Sequence, residues 1–351
     1  MNVHENDAIY NLTDTCVHPL TLSELLAMDD MHASKGIRMD YGVIPGDDRL
    51  RRKIADLYVS APIEQITTAH GCLEANALVL ETLLKPGDRV ITYTPSYQQF
   101  SDLSRSLGCK VTALPLYEED GWQPHIDDLE TAFGDPVRLV ILNQPNNPTG
   151  TVFEPPYLQK LGELTERYHA WILADEVYRD PAIPSLSDQL PRCISTGSLS
   201  KMYSLAGLRL GWIRADQKLI THINSRRDYT IISTGPLIDS LGLAALSHQE
   251  EILDRSRSLI AANKEAVHEW LQNEPRAHVC MPAAGTVCFL RYDLGMPSAA
   301  LAEQMLKDTG VFFVPGSCFD CEHHLRLGLT NDPQLTAQGL QKFSAWMDQH
   351  C

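Results

Sequence analysis

Short apolar runs alternate with amphipathic stretches along the middle of the chain. Four runs rich in β-branched residues each end in polar or turn-forming residues, at 89–93, 109–114, 137–142 and 170–174. Strands that alternate with helices in this way build βαβ units around a parallel sheet. The pattern therefore predicts an α/β fold with a mostly parallel sheet over about residues 65–235. Ligands of such sheets bind beyond the carboxyl ends of the strands, so the polar residues there are the first candidates for a site.

The pattern changes after about residue 240. A long amphipathic helix is predicted at 251–271, and a few strands follow near 285–291 and 324–329. These elements are typical of a second, smaller α+β domain. The predicted division is an N-terminal arm that packs on the small domain (1–45), a large α/β domain (46–240) and a small C-terminal α+β domain (241–351).

The charge and composition of the chain disfavour several classes of function. The 351 residues carry a formal net charge of −16, which disfavours a nucleic-acid partner because such partners select basic surfaces. No stretch approaches the ~20 apolar residues of a membrane span, and the first residues lack the pattern of a leader. We expect a cytoplasmic protein with a small-molecule substrate and no membrane or nucleic-acid partner. Nine scattered cysteines, with Cys318 and Cys321 in a lone C-x-x-C, indicate reduced thiols and no metal site.

One lysine lies among hydroxyls and glycines in the segment 198–211. Lys201 can act there as a nucleophile that forms a Schiff base with an aldehyde cofactor, and a pKa lowered by partial burial near cations would assist it. Ser198, Ser200 and Arg209 offer donors for a phosphate, the guanidinium as a bidentate fork. The segment therefore predicts the attachment point of a phosphorylated aldehyde.

Two strand ends upstream carry groups that suit the ring of pyridoxal 5′-phosphate (PLP). Asp175 ends the apolar run 170–174, and a carboxylate buried there needs a cationic partner. The protonated pyridine nitrogen of PLP is such a partner, and a carboxylate that keeps this proton in place keeps the ring electron-withdrawing. Tyr178 and Asn147 also follow strand ends, where they can reach the ring hydroxyl oxygen.

Two further segments fit the same cofactor. Gly71 opens a predicted helix directly after a strand, and glycine permits a close approach. The backbone N–H groups of Cys72 and Leu73 can therefore face a phosphate at the helix N-terminus. Tyr97 follows another strand, at a position where its ring can stack on a planar heterocycle.

The motifs N-P-x-G, D-x-x-Y and S-x-S-K, with an arginine eight residues after the lysine, resemble the cofactor-binding series of the fold-type-I PLP enzymes, the class I and II aminotransferase superfamily. The resemblance implies that fold, with Lys201 as the Schiff-base lysine and Asp175 as the partner of the pyridine nitrogen. It implies that Arg326 grips the substrate α-carboxylate. It also implies a homodimer with shared active sites, in which Tyr41 reaches the phosphate of the neighbouring subunit. The other implied cofactor contacts are Tyr97, Asn147, Tyr178, Ser198, Ser200 and Arg209.

A narrower resemblance concerns the reaction. Residues 17–18, 46–51 and 227–230 are similar to those of capreomycidine synthase and related cyclases of hydroxylated arginine. The sequence D-E-V-Y that contains Tyr178 is typical of aminotransferases instead. Two outcomes stay open: transamination of a free α-amino acid, which is the leading hypothesis, and dehydrating cyclisation of a hydroxylated arginine. In both, Lys201 removes the α-proton, and His18 is a candidate contact for the substrate side chain.

Two alternatives lie outside this chemistry. A PLP-binding module without catalysis would keep the same cofactor residues, but such modules usually carry a DNA-binding extension, which the sequence does not suggest. A dinucleotide-binding protein would need a glycine fingerprint after its first strand, and the segment that begins at Gly71 lacks it.

Overall fold

The computed structural model describes residues 7–28 and 36–350. Its strands, in chain order, are β1 (Tyr10–Asn11), β2 (Ile66–Ala69), β3 (Arg89–Thr94), β4 (Lys110–Pro115), β5 (Leu139–Asn143), β6 (Trp171–Asp175), β7 (Cys193–Ser198), β8 (Gly211–Arg214), β9 (Ala277–Val279), β10 (Val287–Tyr292), β11 (Val311–Phe312), β12 (Val314–Pro315) and β13 (His324–Gly328). Its helices are α1 (Leu22–Met28), α2 (Asp48–Ala55), α3 (Gly71–Leu83), α4 (Gln99–Ser106), α5 (Ile126–Ala132), α6 (Pro155–Arg167), α7 (Leu186–Gln189), α8 (Gln217–Arg227), α9 (Pro236–Ser247), α10 (Gln249–Leu271), α11 (Ser298–Thr309) and α12 (Pro333–His350).

A seven-stranded sheet forms the centre of the molecule, in the order β2-β8-β7-β6-β5-β3-β4. The strands from β4 to β7 pair in parallel, and β8 pairs antiparallel with both β7 and β2. The predicted α/β fold with a mostly parallel sheet is therefore confirmed. Parallel pairing brings the carboxyl ends of β5, β6 and β7 to one edge, where Asp175 lies in register with Asn143 and Thr196.

Both faces of this sheet are covered, which explains the nearly continuous apolar runs of its strands. Successive residues of a strand point to opposite faces, so each run supplies both layers of the core. The face covered by α3 and α8 carries Leu139, Ile141, Leu173, Ile194 and Ile213. The face covered by α6 carries Val140, Leu142, Ile172 and Ala174.

A smaller antiparallel sheet follows later in the chain, in the order β12-β13-β10-β9. The N-terminal segment packs against this part of the molecule: β1 pairs with β11, and the Gly328 N–H donates to the Leu12 carbonyl at 2.9 Å. The proposed domain boundaries near residues 45 and 240 stay predictions. Among the helices in the described part of the chain, none is long and apolar enough to cross a membrane.

Candidate active site

A central cavity of about 470 Å³ opens at the carboxyl edge of the large sheet. Its walls come from the N-terminal segment, the start of α3, the ends of β5, β6 and β7, and β13. Eleven of the residues predicted from sequence line it: Cys72, Leu73, Tyr97, Asn147, Asp175, Tyr178, Ser198, Ser200, Lys201, Arg209 and Arg326. The structure thus collects groups from distant parts of the chain around one space.

Lys201 enters the cavity from the turn that follows β7. Its Nζ donates to Thr15 Oγ1 at 2.5 Å and to Cys16 Sγ at 3.4 Å, and it lies 5.6 Å from the centre of the Tyr178 ring. The amine is therefore directed into the cavity and away from bulk solvent.

The pKa of Lys201 differs from the sequence-based expectation. Burial lowers the pKa of this amine, but the Tyr178 hydroxyl and the Cys16 thiol raise it, and the net pKa lies above its usual value. The prediction of a lowered pKa was wrong, because the effects of Tyr178 and Cys16 together outweigh those of burial and of the nearby Arg326 cation.

Asp175 is buried at the end of β6, and its side-chain hydrogen bonds with the described residues come from neutral donors. It accepts from Asn76 Nδ2 at 2.7 Å, from the Val177 N–H at 3.0 Å and from Cys72 Sγ at 3.4 Å. Burial raises the pKa of this carboxyl, and the hydrogen bonds and the charge of Lys201 only partly offset that effect. Within the described residues Asp175 forms no salt bridge, so a protonated ring nitrogen is the kind of partner that it suits.

Groups that suit a phosphate lie where α3 begins: the side chains of Arg209, Ser198 and Ser200 and the first N–H groups of the helix, together called the phosphate cradle. Gly71 has φ +74°, and a Cβ added there would lie 2.5 Å from Arg209 Nη2, so the glycine lets the guanidinium approach the helix start. The nearby Ser198 Oγ accepts from the Ser200 N–H at 3.1 Å. Guanidinium, hydroxyls and helix N–H groups on one side of the cavity fit a phosphate.

Arg326 lies at another wall of the cavity, buried on β13. It donates from Nη1 to Asn147 Oδ1 at 3.2 Å and from Nη2 to the Thr13 carbonyl at 2.9 Å. Its Nε has no hydrogen-bond partner within the described part of the chain. Burial lowers the pKa of this guanidinium, and an anionic ligand such as a carboxylate would satisfy it.

Tyr97 and Tyr178 complete the cavity wall. Tyr97 is partly buried, and its ring meets that of Phe100 edge-on with 5.8 Å between the centroids. Burial raises the pKa of the Tyr97 hydroxyl. Its ring lines the cavity, where it can stack on a planar heterocycle.

Three predicted site residues are not among those that line the cavity: Gly71, which lies at the start of α3 against Arg209, and His18 and Tyr41. His18 is exposed in a separate surface depression with Arg255, where its carbonyl accepts from Arg255 Nη1 at 2.9 Å. Its N–H donates to the Thr330 carbonyl at 3.1 Å. The residue lies away from the cavity in this chain, and its predicted contact with the substrate stays a prediction. Tyr41 is 72% exposed and does not reach the cavity of its own chain, so its predicted role in a neighbouring subunit stays a prediction.

The cavity also contains residues that the sequence analysis missed. They are Thr15, Cys16, Asn76, Gln99, Asn143, Val177 and Ala206. Asn76 had a usable signal, because it lies one helical turn after Cys72 on a helix whose other inward positions are apolar. Thr15 and Cys16 had none, since they lie in an irregular segment.

The C-x-x-C motif does not create a metal site in the described residues. Elsewhere in the described part of the chain, Glu118, His278 and Cys280 could share an ion, because their ligand atoms lie within 4.8 Å of one another. Arg291 Nη1 lies 3.1 Å from Glu118 Oε2 and already supplies a cation.

Comparisons with known proteins show the family and the fold of the chain. The chain matches the family described as aminotransferase class I and II over residues 11–343. It is 32% identical to capreomycidine synthase of Streptomyces vinaceus, covering 97% of this chain and 90% of that protein. A crystal structure of a PLP-dependent aminotransferase from Streptococcus suis superposes with a TM-score of 0.94 at 35% identity, covering 100% of this chain and 96% of the other. The PLP-dependent cyclase OrfR gives a TM-score of 0.89 at 25% identity, covering 99% and 96%.

The fold and the site together define a PLP-dependent enzyme of fold type I. The chain belongs to the class I and II aminotransferase family. The cofactor prediction is confirmed, because members of this family depend on PLP. The two alternatives outside this chemistry, a PLP-binding module without catalysis and a dinucleotide-binding protein, are not supported.

Proposed function

We propose that this enzyme transfers the α-amino group of a free amino acid to an acceptor 2-oxo acid. The observation that carries the proposal is the grouping of Lys201, Asp175 and Arg326 around one cavity. The three side chains suit an aldehyde, a ring nitrogen and a substrate carboxylate. The Tyr178 side chain in the same cavity also supports transamination, because its motif resembles that of aminotransferases.

PLP, when bound, supplies an aldehyde that joins the substrate amine and a ring that withdraws electrons. Lys201 is the base that takes the proton from the substrate α-carbon. Asp175 holds a proton on the ring nitrogen, and Arg326 binds the α-carboxylate and so orients the α-carbon toward Lys201. The substrate leaves as a 2-oxo acid, and its amino group passes to the acceptor.

A second candidate is the dehydrating cyclisation of a hydroxylated arginine. The 32% identity to capreomycidine synthase over 97% of this chain supports it, as does the similarity to a structure titled a PLP-dependent cyclase. The reaction begins with the same proton removal by Lys201. The substrate hydroxyl then leaves as water, and a guanidine nitrogen forms the bond that closes the ring.

Product analysis separates the two candidates. The PLP-loaded protein is incubated with a panel of amino acids that includes arginine and its hydroxylated forms, with and without 2-oxoglutarate, and the products are identified by mass spectrometry. Amino transfer that requires the oxo acid supports the aminotransferase. Loss of one water without an acceptor supports the cyclase, and the absence of both products contradicts both.

The role of Lys201 has its own test. Lys201→Ala is expected to lose the visible absorption band of the lysine–PLP Schiff base together with all turnover. A variant that keeps the band would contradict the assignment.

We also propose a homodimer in which Tyr41 contributes to the neighbouring site, a proposal supported by its exposure on the chain's surface.

A further inference from the structure

The N-terminal segment 11–18 crosses the cavity wall in a position that hydrogen bonds fix at several points. Thr330 Oγ1 donates to the Asp14 carbonyl at 2.9 Å, and Thr286 Oγ1 donates to the Thr15 carbonyl at 2.7 Å. The Val17 N–H donates to the carbonyl of Lys201 at 3.4 Å. Hydrogen bonds from other residues therefore fix the backbone at Thr15. The Thr15 side chain is not needed for this and can bind another group.

The Thr15 side chain is buried and accepts a hydrogen bond from the Lys201 amine at 2.5 Å. A lysine amine ends a flexible stem of four carbons, so without a fixed acceptor it samples many positions. Threonine is β-branched and has few χ1 rotamers, which makes its hydroxyl a stiff acceptor. Thr15 thus defines where the Lys201 nitrogen lies in the cavity.

We propose that Thr15 is a positioning residue for Lys201, holding its amine toward the substrate α-carbon and stabilising the ammonium that forms when Lys201 takes the α-proton. A hydrogen bond from an ammonium is about twice as strong as one between neutral groups. The hydroxyl therefore helps most when the lysine carries the transferred proton. This inference rests on the proposed role of Lys201 as the base.

Other groups that act on the Lys201 charge are spread over every wall of the cavity. They are Cys16 on the N-terminal segment, Cys72 on α3, Tyr97 after β3, Asp175 and Tyr178 at the end of β6, and Arg326 on β13. Replacing Thr15 leaves all of them in place. A change in the titration of Lys201 in such a variant therefore reports the lost hydroxyl.

The first test follows the uptake of PLP by the apo-protein as a function of pH. Only a neutral amine attacks an aldehyde, so the midpoint of the pH–rate curve reports the titration of Lys201. Thr15→Val keeps the side-chain shape but removes the acceptor of the ammonium, so its midpoint should fall by about half a pH unit or more. Thr15→Ser should lie close to the wild type.

Thr165→Val is the matched control, because it removes a buried threonine hydroxyl on α6 that donates to the Leu161 carbonyl at 2.9 Å and does not line the cavity. Its midpoint should stay at the wild-type value. If Thr15→Val fails to fold, Thr15→Ala replaces it in the same comparison. Equal midpoints in the wild type and the Thr15 variant would overturn the inference, as would an equal fall in Thr165→Val.

The second test measures exchange of the substrate α-proton with deuterated water, which follows proton removal whatever the later reaction. Thr15→Val should slow exchange by about tenfold or more at saturating substrate, because misplacement of a base by 1 Å is costly. The substrate concentration for half-maximal exchange should change little. If Thr15→Val exchanges at the wild-type rate while Lys201→Ala does not exchange, the inference about Thr15 is rejected and the role of Lys201 stands. If Lys201→Ala exchanges at the wild-type rate, the proposed function is rejected as well.

Discussion

Asp175 is buried, and its side-chain hydrogen bonds with the described residues come from neutral donors. We therefore expect turnover to depend strongly on its charge. Asp175→Asn keeps the size of the side chain but loses the charge that holds a proton on the PLP ring. Turnover should fall about 100-fold or more, while the Schiff-base band with Lys201 remains. Steady-state kinetics and an absorption spectrum check this, with Asp128→Asn on α5 as a control remote from the cavity. Wild-type turnover in Asp175→Asn would contradict the assignment.

Gly71 offers a test of the phosphate cradle with a matched control elsewhere in the chain. Gly71 and Gly87 have φ +74° and +91°, so alanine at either position should cost about 1–2 kcal/mol of stability. Only at Gly71 would the new Cβ meet Arg209, at 2.5 Å, whereas nothing lies within 4 Å at Gly87. Gly71→Ala should therefore weaken PLP binding about tenfold or more, the effect of losing a charged hydrogen bond.

The comparison is made by titrating each apo-variant with PLP and by thermal unfolding. Equal PLP affinity in Gly71→Ala and Gly87→Ala would show that the close approach of Arg209 to the helix start has no part in binding the cofactor.

Most of the site could be predicted at the residue scale because its members follow strand ends. Asp175 and Asn147 stand directly after apolar runs or in turns next to them, and parallel pairing must bring such positions together. Thr15 could not be predicted in this way. Its position depends on hydrogen bonds to residues such as Thr286, which lies more than 250 positions later in the chain. The place of His18 also depends on such a tertiary bond, from its N–H to the Thr330 carbonyl, and its predicted contact with the substrate stays a prediction.

At the scale of elements, an ion pair joins α10 to the loop that follows β6. Arg257 donates to both carboxylate oxygens of Asp180, at 2.7 and 2.9 Å. Burial raises the pKa of Asp180, but the bonds from Arg257 outweigh it, so the pKa in the folded protein lies below the ordinary 3.8. A carboxyl with a lowered pKa stabilises the fold above its unfolded pKa and loses that contribution as the pH falls through its folded pKa.

Asp180→Asn should therefore lower the free energy of unfolding by about 1 kcal/mol at pH 7, as expected for a partly exposed pair. The difference from the wild type should shrink as the pH drops below 3.8. Urea unfolding at a series of pH values measures it. Asp254→Asn is the control, because Asp254 also bonds Arg257 but is 71% exposed and should matter less. A difference that does not vary with pH would contradict the ion-pair explanation.

Four of the seven strands of the large sheet, β3 to β6, match the four apolar runs of the sequence, because strands packed inside a sheet form continuous apolar runs. β5 and β6 lie within a residue or two of the predicted ranges 137–142 and 170–174. The antiparallel direction of β8 could not be predicted from the pattern of apolar and polar residues. The side chains of a strand alternate with a period of two residues whichever way the strand runs. Pairing of β1 with β11 was equally hidden, because both strands have two residues.

At the scale of the whole molecule, one region of the surface is unusually apolar. Met39, Tyr41, Val43, Tyr229 and Ile231 are all exposed, from 48% to 88%. The segments 39–44 and 227–233 that carry them are neighbours, because Ser233 Oγ donates to the Tyr41 carbonyl and Arg227 Nη1 donates to the Ile44 carbonyl. Apolar residues gathered in this way mark interaction surfaces, and a second copy of the chain is the partner that the predicted role of Tyr41 requires.

Tyr229→Asp should therefore turn a dimer into a monomer, because a carboxylate buried between two copies would lose its hydration without gaining a cation. Sedimentation velocity gives the mass of each species. Val59→Asp is the control, since Val59 is also apolar and 83% exposed but lies outside these two segments. If Tyr41 completes the neighbouring site, the monomeric variant should also bind PLP more weakly, whereas Val59→Asp should not. A wild-type protein that sediments as a monomer, or a Tyr229→Asp variant that stays dimeric, would exclude this surface as the dimer interface.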